Sequence, residues 1–587
     1  MIRDLRVYLE SMGGTNRIAY YRDEKGLEVD VILELVDGRW AAVEIKLSDL
    51  KVMEKNVDKL HAFKEKVCGN PLSQVREPEF MAFIVGRGDI AYRRDDGILV
   101  LPIATLGGVT NERCGRWDNW GNELNEGDGV QGVRQMRESQ ESQKTRESQE
   151  SQNPQGTQPK IGRIPALIAA VAIVGVAIGA AAGLLTLMLY GVEHLALGYV
   201  ENSQESGPFN VPAIRCLISV TVGATVAAVI WWLLRTRSTK VPSVKKAVNG
   251  DIMPIWQTVV HVLLQIFIVG TGMSIGREVA PRELGAMFGQ RFARWVRLDA
   301  KDTRMLVAIT AAAGLAGVYN APLAGTFFAV EILLADITLE TVTLAFACSA
   351  LASWVASLVK GTHTFYLIGE TDGLFTPDYM AFALVAGMIL GAAGALFRRG
   401  SQWAEKSKPS GAGILWMLPL AGLLTGVVAI WVPQVMGNGR ATAQLSFSSK
   451  ADLAVVPILL VSFLAKAIVT LLTIRSGASG GVLQPGIALG ASGGAVLGVL
   501  WMQVFHTNSI GMYALLGACA LLAASQQAPL MAICLVMELA DAPINLFVPI
   551  GFAVAVSAFT ASCLGEPLAA LRLSKSAEKK VIKANAR

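Results

Sequence analysis

Pro165–Val192 runs for 28 residues without one charged side chain. A helix rises 1.5 Å per residue, so about 20 apolar residues cross the hydrocarbon of a bilayer. Seven more uncharged stretches follow: Cys216–Leu234, Ile252–Ile275 (with one His), Met305–Val330, Thr341–Val359, Met380–Phe397, Ile414–Met436 and Ala542–Gly565. Only helices and closed barrels satisfy their backbone groups in lipid. Runs of this length read as helices, and they predict an all-α polytopic membrane domain over residues 161–587. The 58 glycines among 587 residues suit close helix packing. Several runs are interrupted by Gly or Pro. Broken helices survive in membranes where they line a cavity, and they mark ion sites.

Charge lies outside these runs. Lys160 and Arg163 precede the first, and Arg572, Lys575, Lys579, Lys580, Lys583 and Arg587 follow the last. The positive-inside rule then predicts a multi-pass protein of the cell membrane with both termini cytoplasmic. The net charge of +5 belongs mostly to these flanks, so no nucleic-acid partner is expected for the membrane domain. Met1–Glu10 lacks the apolar run of a secretory signal. The seven cysteines show no ligand-like spacing and read as packing residues. Neither a cofactor nor a bound metal is expected, and the chain is not expected to be an enzyme.

Residues 1–105 form a different region. Leu27, Val29, Val31, Leu33 and Leu35 alternate with polar positions, as do Val43, Ile45 and Leu47, with an Asp37-Gly38 turn signal between. A three-residue loop, Asp37-Gly38-Arg39, sets Asp30, Glu44 and Lys46 on one face of the hairpin. The reading is a small α/β domain. Residues 106–160 include ESQESQKTRESQESQNPQGTQPK, which lacks apolar side chains. Such a segment cannot offset the entropy of ordering and is expected to be a disordered linker.

Within 161–587 the stretch GTGMSIGREVAPRELG, ending at Gly285, sets one glutamate, Glu278, at a Gly-rich helix start. A carboxylate in a membrane is costly and marks function by default. Backbone N–H groups at a helix start attract anions. Together these predict a glutamate that competes with a permeant anion for one site. The bland alternative is a carboxylate satisfied by Arg277 or Arg282. A weak internal repeat supports the first reading. Asn320-Ala-Pro-Leu leads to Glu331, and Gln527-Ala-Pro-Leu leads to Glu538. Both pairs lie 207 positions apart (322 to 529, 331 to 538). Upstream, Gly276-Arg-Glu-Val-Ala leads to Gly285, and Gly481-Val-Leu-Gln-Pro leads to Gly490. Two halves with breaks in matching places put a site at their interface.

These residues resemble the CLC family of chloride channels and chloride/proton antiporters. GREVAP is similar to the family's GREGP loop, with Val279 and Ala280 replacing its Gly and Pro. GGVLQP at 480–485 is similar to GxFxP, with Leu483 at the Phe position. YNAPLAGTFFAVE and QAPLMAICLVMELAD resemble the matching elements of the two halves. The resemblance implies an inverted repeat of broken helices, a homodimer with one anion pathway per subunit, and Glu278 as the gating glutamate. It implies anion contacts from Gly276, Arg277, Val279, Val482 and Leu483. Aligned on Pro242, Thr239 takes the place of the family's anion-coordinating serine, and Lys240 that of a glycine.

Two departures bear on mechanism. Ile332 stands where many antiporters carry a proton-relay glutamate, and Ala569 stands where the family has a pore tyrosine. The expectation is therefore a voltage-gated-type chloride channel rather than a chloride/proton antiporter, embedded in lipid and passing chloride and similar small anions. From another class, the N-terminal segment GLEVDVILELVDGRWAAVEIKL resembles the restriction-endonuclease-like domain of unknown function carried by prokaryotic AAA-type ATPases. That likeness implies a metal-dependent, nuclease-like site at Asp30, Glu44 and Lys46. No Walker A motif precedes it.

Overall fold

Every long uncharged run in the C-terminal part becomes helix, but not every run becomes a single helix. The computed structural model describes residues 17–23, 27–34, 40–46, 50–69, 77–85, 92–94, 96–102, 162–202, 204–362, 364–369, 376–505 and 509–564. The linker at 106–160, the Asp37-Gly38-Arg39 turn, Ala569 and the basic C-terminal residues lie outside the described set. The chain divides into two compact units, Met1–Gly156 and Thr157–Arg587.

The first unit is a six-stranded mixed sheet in the order β1-β2-β3-β4-β6-β5. Its elements are β1 (Arg17–Arg22), β2 (Glu28–Glu34), β3 (Trp40–Lys46), helix α1 (Leu50–Cys68), β4 (Phe80–Val85), β5 (Tyr92–Arg93) and β6 (Leu99–Pro102). Leu60 and Phe63 of α1 pack with Val29, Trp40, Ala42 and Phe83 on one face. The small α/β domain is thus as the alternating pattern required. The hairpin register differs from expectation. Glu34 pairs with Trp40 and Val31 with Val43, so five residues, not three, connect β2 to β3. Odd loops preserve the parity of side-chain faces, and Asp30 still shares a face with Glu44 and Lys46.

The second unit is all-α. Its helices are α2 (Arg163–Ala196), α3 (Ala213–Arg237), α4 (Val244–Val248), α5 (Ile255–Gly270), α6 (Val279–Val296), α7 (Ala300–Tyr319), α8 (Pro322–Phe327), α9 (Leu339–Lys360) and α10 (Pro377–Lys406). Then come α11 (Ile414–Ala429), α12 (Arg440–Ser448), α13 (Val456–Arg475), α14 (Leu483–Met502), α15 (Ile510–Gln526) and α16 (Pro529–Ala540), and α17 (Ile544–Leu564). Among the described residues, eight helices are long and apolar enough to cross a membrane. The Ile252–Ile275 run yields only the 16-residue α5 before Gly272 turns at φ 104°. The Met305–Val330 run splits at Asn320, which is left-handed at φ 58° and ends α7.

The internal repeat has a backbone counterpart. Asn320 (φ 58°) and Gln527 (φ 55°) both end a helix in the left-handed region. Ala321 and Ala528 are both extended, and Pro322 and Pro529 both open the next helix. A side chain at Gly285 would meet Thr310 O at 2.2 Å, and one at Gly490 would meet Gly517 O at 2.5 Å. In each half, then, glycine lets one helix cross the next in backbone contact.

Ion pairs and caps show which helix ends lie together. Arg163 reaches Asp302 of α7 and Glu340 of α9, each at 2.7 Å. At the opposite end of α2, Arg215 of α3 donates to the carbonyls of Ala196 and Leu195. α3 thus begins beside the end of α2, and Arg235 near the end of α3 donates to Gly477 O just beyond α13.

Candidate anion site

Glu278 precedes the first turn of α6 and is fully buried. Its backbone conformation follows from the Gly-rich loop. Gly276 and Gly481 exchange both backbone hydrogen bonds, N to O at 2.9 and 2.8 Å, in a one-rung antiparallel bridge. This bridge joins the broken starts of α6 and α14, one from each half. The Glu278 carboxylate folds back over it. Oε1 accepts the backbone N–H of Leu483 at 2.6 Å. A side chain on Gly481 would lie 1.9 Å from Oε1, and one on Gly276 would lie 2.1 Å from Oε2. Both glycines are thus required by the carboxylate rather than by their own dihedrals.

Neither neighbouring arginine neutralises Glu278 directly. Arg282 Nε donates to the Glu278 backbone carbonyl at 2.7 Å, and its guanidinium lies over the Phe328 ring. Arg277 lies 5.6 Å from the ring centroids of both Tyr319 and Phe365. Buried polar atoms without a hydrogen-bond partner include Glu278 Oε2, Arg277 Nε and Nη1, Tyr319 OH and Gln484 Nε2. Gln484 accepts from Tyr366 OH at 2.7 Å through its Oε1, and Tyr366, Phe365 and Tyr319 pack edge to face in series. Four of these five atoms are donors, the chemistry that receives an anion.

The structure thus gathers Gly276, Glu278, Val482 and Leu483. Val482 precedes the first turn of α14, and Val279 opens α6. Arg277 adjoins them through the backbone while its side chain serves the aromatic cluster. Thr239 is exposed between α3 and α4, and the hydrogen bonds of Glu278 do not include it. Ile332 is half-buried in a π-helical turn, Phe328–Leu334, that continues α8.

Sequence reasoning passed over several buried charges. Lys466 lies fully buried in α13 and donates to Val435 O and Gly437 O at 2.8 and 2.9 Å. Arg440 pairs with Glu201 at 3.3 Å, and Asn438 donates to the same carboxylate. Glu283, five residues beyond Glu278, accepts from Gln265 at 2.7 Å. Lys466 and Arg440 are each a single charge among uncharged neighbours, a signal that could have found them.

In the N-terminal unit Asp30, Glu44 and Lys46 do converge. Lys46 Nζ lies 2.5 Å from Glu44 Oε2 and 3.5 Å from Asp30 Oδ2, and Ile45 N donates to Asp30 at 2.9 Å. Burial pushes the Glu44 carboxyl above its ordinary range, although the Lys46 hydrogen bond opposes it. Burial lowers Lys46, but its bond to Glu44 and the two carboxylate charges outweigh this and hold it up. Two carboxylates already engaged by one ammonium fit a divalent cation poorly, and the described residues hold no group of three metal-binding side chains. No metal-dependent step is derived for this triad.

Comparison with known proteins bears on the family and the fold. Residues 222–562 match the voltage gated chloride channel family, and residues 1–106 match a domain of unknown function, DUF4143. The chain is 30% identical over 354 residues to the H(+)/Cl(-) exchange transporter ClcA of Cronobacter sakazakii, covering 57% of this chain and 74% of that one. It is 29% identical over 386 residues to the voltage-gated ClC-type chloride channel ClcB of Citrobacter koseri, covering 62% and 89%. Its fold is similar to that of a slow cyanobacterial Cl−/H+ antiporter, with a TM-score of 0.59 and 22% identity over 70% of this chain and 97% of that one. A CLC-type fluoride/proton antiporter shares the fold at a TM-score of 0.54, with 22% identity over 68% and 95%. With its family match spanning more than half of its length, this chain belongs to the voltage gated chloride channel (CLC) family of anion transporters.

Proposed function

We propose that residues 161–587 conduct chloride passively through the Gly276–Gly481 junction, and that the Glu278 carboxylate closes the path by occupying it. The observation that carries this is the 2.6 Å bond from Leu483 N–H to Glu278 Oε1. Backbone N–H groups at the start of a helix attract an anion without the grip of a buried ammonium. A carboxylate seated on that donor blocks the position a chloride would take. Protonation removes its charge and frees the donor. The orphaned donors of Arg277, Tyr319 and Gln484 support an anion route beside it.

Passive conduction is preferred over proton exchange because Ile332 cannot hold a proton. The basic ends of α3, α10 and α13, with Arg235, Arg237, Lys406 and Arg475, face the cytoplasm by the positive-inside rule. That assignment places both termini there. The working assembly is a homodimer, with one pathway in each copy.

The test is reconstitution in liposomes with chloride and proton fluxes recorded together. Chloride should run down its gradient without driving protons uphill. A fixed proton movement opposite to chloride would overturn passive conduction while leaving the anion site intact.

A further inference from the structure

Glu283 is a second buried carboxyl on the helix that starts at Glu278. It lies five residues further along α6, about 7.5 Å at helical rise, and its side chain is 7% exposed. Gln265 Nε2 donates to its Oε2 at 2.7 Å. His261 Nε2 lies 3.8 Å from the same oxygen. The other ring nitrogen, Nδ1, accepts from the Trp231 indole at 3.0 Å. That bond fixes the neutral tautomer, leaving the proton on Nε2, the nitrogen nearer Glu283. The side-chain oxygen of Gln265 is buried and unpaired. An amide turned end for end offers that oxygen to a carboxylic acid, just as its NH₂ now serves a carboxylate. Gln265 can thus pair with Glu283 in either protonation state.

We propose that Glu283, with His261 and Gln265, is a proton-binding site within the membrane domain, and that its occupancy sets the affinity of the anion pathway. Intramembrane acids paired with histidine on facing helices take up and release protons. The charged groups acting on the pair are Arg282 on α6 itself, Arg235 of α3 and Lys408 just beyond α10. Lys408 also holds Glu405 at 2.7 Å. Arg235 lies in the last turn of α3 and Lys408 just beyond α10, so the pair sits towards those helix ends. An ionised Glu283 opposes the positive start of α6 that draws the anion. Adding a proton to its carboxylate shifts the local charge towards positive and strengthens anion binding. The inference rests on the anion-pathway reading only for its flux readout.

The experiment measures chloride flux against pH in the Glu278→Gln background, where the gate no longer titrates. A residual rise in flux as pH falls, about threefold and smaller than the wild-type response, is expected from the loss of one nearby charge. Adding Glu283→Gln should flatten it, and adding Glu283→Asp should retain it. Infrared difference spectra give a readout independent of flux: a buried protonated carboxyl band in Glu278→Gln, absent from Glu278→Gln/Glu283→Gln. His261→Gln should shift both titrations. A pH-flat Glu278→Gln protein, or a band and response that survive Glu283→Gln, overturns the proposal. Failure of the gate reading looks different: Glu278→Ala would keep the whole wild-type response.

Discussion

Glu331 and Glu538 cap each other's neighbouring helices across the two halves of the membrane domain. Glu331 accepts the backbone N–H groups of Leu530 and Met531 at the start of α16, at 3.3 and 2.9 Å. Glu538 accepts those of Leu323 and Ala324 at the start of α8, at 2.9 and 2.8 Å. Pro322 and Pro529 remove one donor from each helix start, and a carboxylate from the other half satisfies the next two. The repeat seen in the sequence is therefore a reciprocal lock, made of anions at helix N-termini.

Breaking either side of this lock should cost similar stability. Glu331→Ala and Glu538→Ala each strand two backbone donors at a helix start, a loss of about 1.5–3 kcal/mol for bonds to a charged group. Thermal unfolding in detergent checks this. Gln in place of either Glu should recover part of the loss, because its amide oxygen still accepts. A loss confined to one of the two variants would contradict the reciprocity.

Replacing Glu278 should open the pathway. In Glu278→Ala and Glu278→Gln, flux at neutral pH should rise on the order of tenfold, the worth of one charge-assisted hydrogen bond removed from competition. Wild-type flux should climb as pH falls, since protonating the carboxylate releases Leu483 N–H. Both variants should lose most of that dependence. A well-folded Ala variant with the wild-type pH profile would show that Glu278 is not the gate.

Gly481→Ala should expel the carboxylate, because its Cβ would lie 1.9 Å from Oε1 and 2.2 Å from Cδ of Glu278. We expect a cost of about 1–3 kcal/mol from overpacking and flux less sensitive to pH. In the Glu278→Ala background the clashing atoms are gone, so most of the cost should vanish. A double-mutant cycle on unfolding temperature measures the coupling, and additive effects would rule out the contact as the cause.

Deleting residues 1–155 should leave chloride flux unchanged in protein that still inserts. The deletion removes nearly all of the first compact unit and nothing from the second. Flux lost from a correctly assembled truncated protein would tie the N-terminal unit to conduction.

Much of this architecture was legible in the residues themselves. Lipid allows so few backbone solutions that uncharged runs such as Pro165–Val192 became α2 with little ambiguity. The Asn320 and Gln527 motifs read as matching breaks because left-handed turns and Pro-led helices are local properties. Asp30, Glu44 and Lys46 fell on one face because side-chain parity survives a shift of register by two. Glu278 drew attention because a carboxylate among apolar residues needs a reason.

Only tertiary structure decided what each of those residues touches. That Gly481 exists for the carboxylate of Glu278 depends on two helix starts 205 positions apart meeting through one backbone bridge (276 to 481). That Arg277 and Arg282 leave the carboxylate free depends on the rings of Tyr319, Phe365 and Phe328 that take up their guanidinium groups. Local pattern fixes where helices begin and break, since it acts through a few neighbouring dihedrals and the solvent. Pairing between distant side chains follows from packing at ångström scale, which no periodicity along the chain encodes.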